Sequence, residues 1–236
     1  TFQIVVTHVN TAPVAMNDAY DTVGNTLLEV SGAQTQSPAV YVSGSVLAND
    51  SDSDGPSPIT ASLVSASAGA VVTVNPDGTF TYLPPAGLVG TDSFTYSVTD
   101  GESSATATVT ITIKGRVWYV KNDGTGSSGR SSDPFTTLTA AQTASAPGDT
   151  VFVFTGDGTT NGQNSGFVFQ NNQRLIGQGV QLTMPVAVNG NPSPTVLLAA
   201  GTRPRIGNSA AIGVLATNNG TIEVAGLDIS ALTDGI

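Results

Sequence analysis

The sequence predicts an all-β chain with two textures, a β-sandwich followed by the opening coils of a β-solenoid. Three observations carry this. In the first half, short runs of alternating apolar and polar residues are cut by turn signals at roughly 8–12-residue intervals. Thr, Val and Ile outnumber the helix formers, which favours strands over helices. From residue 115 onward, apolar runs recur at about 20–25-residue spacing between Gly/Asn turns, the mark of stacked coils.

The elements follow in order. Strands are predicted over Thr26–Val30, Val40–Leu47, Ile59–Ala66, Ala70–Val74, Thr79–Leu83, Ser93–Thr99 and Ala105–Ile113. The clearest hairpin joins Val71–Val74 to Thr79–Tyr82 through Asn75-Pro76-Asp77-Gly78. Pro76 presets φ there, and Gly78 takes a positive φ. Asp100-Gly101 marks a second tight turn. Period-two alternation puts Phe94, Tyr96 and Val98 on one face, and Val109, Ile111 and Ile113 on another. Residues 1–10 resemble the segment near Thr110, so they read as the last strand of a preceding repeat, joined by Thr11–Ala15 to residues 11–114. Residues 115–236 form the second unit. It opens with the strand Val117–Val120, a polar loop, and a short helix from Pro134 with Asp133 as its cap. The segments beginning at Asn171 and Asn218 echo each other 47 residues apart, which fits two coils with Asn at matching corners.

Composition narrows the chemistry. Charged residues make up 10% of the chain, well below the roughly 25% of an average protein, so ion pairs are not a main support. There is no cysteine and one histidine, His8, which excludes His-based triads, HExxH zinc sites and disulfide frameworks. The net charge of −10 falls almost wholly on residues 1–114, with ten acidic residues against Lys114 alone. That field opposes nucleic acid and anionic membrane as partners, and favours bound cations. No apolar run is long enough to span a bilayer, and Thr1–Val6 is too short and uncharged for a signal peptide. The chain reads as an interior piece of a larger protein, and as a monomer.

Residues 11–113 resemble the Ig-like, cadherin-like tandem repeats of bacterial adhesins. The motifs are APVAMNDAYDT, GSVLANDSDSDG, VNPDGTFTYLPPAGLVGTDSFTYSVTDG and the closing ATVTITI. Residues 116–236 are similar to the start of pectin-lyase-like, right-handed parallel β-helices, through WYVKNDGTG, SSDPFTTLTAAQTASAPGDTVFVFTGDGT and QRLIGQGV. In that family the short helix caps the open end of the core. The resemblance implies a secreted or cell-surface bacterial protein, with the sandwich as spacer stalk and the β-helix as a platform for a glycan or a host or neighbour-cell ligand. The rival reading is a polysaccharide-active enzyme, a lyase or glycosidase with its cleft beyond residue 236.

One loop is ligand-like. Asn49, Asp50, Asp52 and Asp54 precede Gly55, and alternate carboxylates in a loop suit a hard cation wanting six to eight oxygens. The resemblance implies calcium at such loops, with Asp18 nearby as a contributor. Pro56 and the Gly24-Asn25 pair depart from the family pattern, and a solvated acidic turn is the alternative. The glycines at 124, 126 and 129 match a dinucleotide fingerprint but do not open a helix, so they read as a loop. Glu223 and Asp228 flank a bend and read as surface carboxylates rather than a catalytic pair. Arg174, Arg203 and Arg205 read as coil-edge residues, and Trp118 and Tyr119 as part of the apolar seam of the first coil.

Overall fold

The computed structural model describes residues 9–54, 58–189, 195–208, 214–216 and 220–231. Residues 1–8, Gly55-Pro56, Asn218 and Asn219, each given a reading from sequence, lie outside that set. Eight strands build the first half: β1 (Asp18–Gly24), β2 (Leu27–Ser31), β3 (Ala39–Ser43), β4 (Thr60–Ala66), β5 (Val71–Val74), β6 (Phe80–Leu83), β7 (Gly90–Thr99) and β8 (Ser104–Val120). They form two sheets, ordered β4-β7-β8-β1 and β5-β6-β2-β3. The alternation read from sequence holds: Phe94, Tyr96, Val98, Val109, Ile111 and Ile113 are buried between the sheets. Facing them are Leu28, Val30, Phe80 and Tyr82, with Phe80 and Phe94 edge to face at 5.2 Å. The Asn75–Gly78 turn is as predicted, with Asn75 N–H donating to the Thr79 carbonyl and Gly78 at φ +79°. The strand expected over Val40–Leu47 stops at Ser43, and Val46–Asn49 is a 3-10 turn capped by the Ser45 hydroxyl, which accepts from Leu47 N–H.

The second half contains α1 (Leu138–Ala144), β9 (Thr150–Val153), β10 (Phe167–Phe169), β11 (Arg174–Gly177), β12 (Leu182–Met184), β13 (Thr195–Leu198), β14 (Arg205–Asn208), β15 (Val214–Ala216), β16 (Glu223–Ala225) and β17 (Asp228–Ala231). Its spine is a parallel ladder, β8-β9-β11-β16, in which Val117 pairs with Thr150, Thr150 with Arg174, and Arg174 with Glu223. Two further parallel pairs, β10 with β15 and β14 with β17, stand beside it. The helix begins later than expected, because Thr137 caps it by accepting from Ala140 N–H. Asp133 instead closes the preceding loop by accepting from Ser127 and Ser128 N–H. The open edge of the first rung is covered by that loop, since Tyr119 N–H donates to Gly129 and Lys121 N–H to Phe135. Gly126 and Gly129 are explained by this packing. A Cβ at 126 would stand 2.3 Å from the Pro134 carbonyl, and one at 129 would stand 2.4 Å from the Phe135 ring.

The ladder keeps the expected return of about 20–25 residues but revises the reading of the 47-residue echo. One return of the chain, from Thr150 to Arg174, takes 24 residues, and Arg205 to Asp228 takes 23. Arg174 to Glu223 takes 49. The corner after β16 reaches β17 five residues on, whereas the corner after β11 reaches β14 only after 31. The 47-residue echo therefore spans one return enlarged by an insertion of about 26 residues, not two coils. The insertion is the antiparallel hairpin β12–β13.

The two halves share one strand. Ser104–Ile113 of β8 pairs with β7, and β1 runs parallel to it as far as Gly24 opposite Arg116. Four residues later, Val117–Val120 carries the parallel ladder. Gly115 lies between, at φ +66°, and lets the strand change partners without a break.

Candidate functional site

The acidic end of the sandwich is organised by a residue that sequence reading treated only as core. The Tyr96 hydroxyl lies 2.9 Å from Asp18 Oδ2, 3.0 Å from Asp50 Oδ2, 3.0 Å from the Met16 carbonyl and 3.1 Å from the Val46 carbonyl. A hydroxyl carries one proton, so four acceptors around it leave the cluster short of positive charge. Burial pushes the Asp18 carboxyl up to about 6; the Tyr96 hydrogen bond opposes this, and the Asp50 charge adds to it. The Tyr96 hydroxyl itself is pushed well above its ordinary range, first by burial and then by Asp18. A buried tyrosine needs a partner for its hydroxyl, and that rule was the available signal for this cluster.

The five residues singled out as calcium ligands separate into two groups. Asp18, Asp50 and Asn49 meet around Tyr96, with the Asn49 amide donating to the Asn17 carbonyl. Asp54 turns away and accepts from Thr11 N–H at 3.0 Å and from the Thr11 hydroxyl at 2.8 Å. Asp52 Oδ1 accepts from Asp54 N–H, while its Oδ2 is buried without a hydrogen-bond partner. Asn10, next to Thr11, donates to Asp100 Oδ2 and Ser103 Oγ, and its own Oδ1 is also buried and unpartnered. Among the described residues, no three carboxylate or imidazole groups converge on one point.

A second polar centre lies where the halves meet, and sequence reading missed it. The Tyr119 hydroxyl, fully buried, is 2.8 Å from the Thr26 hydroxyl. Ser131 N–H donates to the Asn25 carbonyl, and Gly87 N–H to Asn25 Oδ1. Asn25 sits at φ +64°, and a Cβ at Gly24 would stand 2.9 Å from the carbonyls of Gly115 and Leu88. The Gly24-Asn25 departure from the repeat pattern is thus a packing requirement of this seam. Asp149, 6% exposed, accepts from Arg116 Nε and Nη2 at 3.0 and 2.8 Å, from Trp118 Nε1 at 2.9 Å and from Ala146 N–H at 2.8 Å. Arg116 also donates to the Gly87 carbonyl of the sandwich and lies 5.4 Å from the Trp118 ring centre.

On the ladder, Glu223 pairs with Arg174 at 2.7 Å and Asp228 with Arg205 at 3.8 Å, each acid in register with its partner on the neighbouring strand. These carboxylates are tied to arginines rather than to each other. Trp118 and Tyr119 are buried, as the seam reading required. No helix among the described residues is long and apolar enough to cross a membrane.

Residues 10–115 match the family model of the bacterial cadherin-like domain. The match ends at Gly115, the residue where β8 exchanges sandwich partners for the ladder. A domain of this class points to a cell-surface, adhesion-type role and to an extracellular or surface location. No curated protein and no solved structure matches the chain.

Proposed function

We propose that the chain is part of a secreted bacterial adhesin, in which a cadherin-like spacer (residues 11–114) carries the first coils of a right-handed parallel β-helix (residues 115–236) as a ligand-presenting platform. The supporting observation is β8, one strand that closes the sandwich and then opens the parallel ladder. A platform joined in this way is held out from the cell without a flexible linker. Its ligand is a glycan or a host or neighbour-cell surface. The test is capture: the chain, attached to beads through its first residues, is exposed to arrayed glycans and to intact cells. Binding without cleavage supports the reading. Glycan cleavage moves the chain to a polysaccharide-active enzyme, and an absence of capture contradicts the platform.

Calcium belongs to the same reading. The oxygen cluster around Tyr96 is short of positive charge and suits a hard cation held by Asp18 and Asp50, with Asn49, Asp52 and Asp54 on the adjoining turn. Bound there, a cation supplies charge neutralisation. Asp18 and Asp50 bring β1 and the turn after β3 together, and Tyr96 orients both carboxylates. Calorimetric titration with calcium after chelation checks this. Heat that is lost in Asp18→Asn and Asp50→Asn supports the site, and equal heat in the parent and both variants overturns it.

A further inference from the structure

We propose that the inserted hairpin β12–β13 is a strap that fixes the angle between the sandwich and the parallel ladder. A single shared strand can twist and bend about its own axis. Attachments away from that strand fix an orientation: the loop carrying Arg130 and Ser131 supplies one, at Asn25, Leu27 and Pro84, and the hairpin supplies another, at β1.

The insertion occupies one corner of one return and is missing from the corner after β16, where Gly226-Leu227 suffices. The ladder's local fold therefore does not require it. Its apolar residues Leu182, Met184, Val188 and Leu197 are buried in the same cluster as Val23 and Ile113 of the sandwich and Val117, Tyr119, Phe152 and Ile176 of the ladder. Thr150 at the start of β9 donates its hydroxyl to the Met184 sulfur. Met184 Cε also stands 3.1 Å from where a Cβ on Gly115 would be, so the hairpin lies over the residue at which β8 changes partners.

The polar contacts are paired just as specifically. Asn189 and Asp21 of β1 bind reciprocally: Asp21 N–H donates to Asn189 Oδ1 at 2.5 Å, Asn189 Nδ2 donates to the Asp21 carbonyl at 2.6 Å, and Asn189 N–H donates to Asp21 Oδ2 at 3.2 Å. Asn189 holds φ +48°, a conformation asparagine tolerates better than most residues. Lys114 bridges both sides, donating to Asp21 Oδ2 at 2.7 Å and to the Ala187 carbonyl at 3.2 Å. The strap thus grips β1, while its base grows from β11 of the ladder. This inference does not depend on what the surface binds.

The chain has no cysteine, so Ser62→Cys on β4 and Asn171→Cys before β11, both exposed, accept spin labels without background. The distance between them reads the angle. Two changes remove the strap: deletion of residues 178–203, which joins Gly177 to Pro204 as Gly226 joins Leu227, and the double substitution Met184→Ala with Asn189→Ala. The labelled parent should give one narrow distance distribution, and both changes should abolish that single narrow peak while strand content by circular dichroism is kept. If the deletion does not fold, the double substitution decides alone. A broad distribution in the parent, or a narrow peak retained in folded strap variants, overturns the proposal.

Discussion

The two ends of β8 are both built from strand-favouring residues, Thr, Val and Ile at one end and Val, Trp and Tyr at the other, and obey different rules. Along Ala107–Ile113 every second residue is buried, because one face meets the sandwich core and the other faces outward. Along Val117–Val120 all four are buried. Trp118 and Val120 point into the ladder's own interior with Val151, Val153 and Leu175, while Val117 and Tyr119 join Phe152 and Ile176 in the cluster continuous with the sandwich. A strand wrapped on both sides loses its alternation, and with it the signal that separates inside from outside. The joint is therefore not a linker: the second face of the ladder is covered by the sandwich and by the inserted hairpin.

That claim can be broken most severely at Tyr119. Tyr119→Ala removes a fully buried ring that packs on Phe152 and Phe154 and bonds to Thr26. It should lower the unfolding free energy by about 3–5 kcal/mol in urea titration. Tyr119→Phe keeps the ring and should lose only about 1 kcal/mol. A loss confined to probes in one half would show that the shared cluster is not cooperative.

Asp149→Ala comes next. It strands the Trp118 N–H and two Arg116 donors at a site only 6% exposed, at a cost of about 3 kcal/mol. Because Arg116 also holds the Gly87 carbonyl, amide exchange should rise in the sandwich segment around Gly87 as well as in β9.

The smallest effect contrasts the acidic end with this seam. Asp18 has its folded-state pKa raised from 3.8 to about 6, so the folded chain binds that proton more tightly than the unfolded one. In calcium-free buffer the contribution is absent at pH 7, grows as pH falls through 6, and is complete below the unfolded value. Glu29, Asp77 and Asp100 are held low by hydrogen bonds and act in the opposite sense only under more acidic conditions. Melting temperature should therefore rise modestly between pH 7 and pH 5 in the parent. In Asp18→Asn this rise should disappear.

Much of the sandwich was legible because alternation, Pro/Gly turns and buried aromatics are local signals. Phe94, Tyr96, Val98 and the Asn75–Gly78 turn could be read directly. The seam was not legible. Tyr119, Asn25, Asp149 and Asn189 find their partners 93, 62, 33 and 168 residues away, and no spacing rule spans such distances. The hairpin was hidden for a related reason: an insertion of about one return's length imitates an extra coil in any count of periods. At the acidic loop, the carboxylates were visible, but their separation by Tyr96 and Thr11 into two groups was not.

The central claim is that sandwich and ladder fold as one unit through β8. Urea unfolding followed by two probes tests it most directly. Fluorescence of Trp118, the chain's one tryptophan, reports the ladder, and amide exchange at Phe94 and Tyr96 reports the sandwich core. Coincident transitions with a common midpoint are predicted. Two separate midpoints, with the sandwich outlasting the ladder or the reverse, would contradict it.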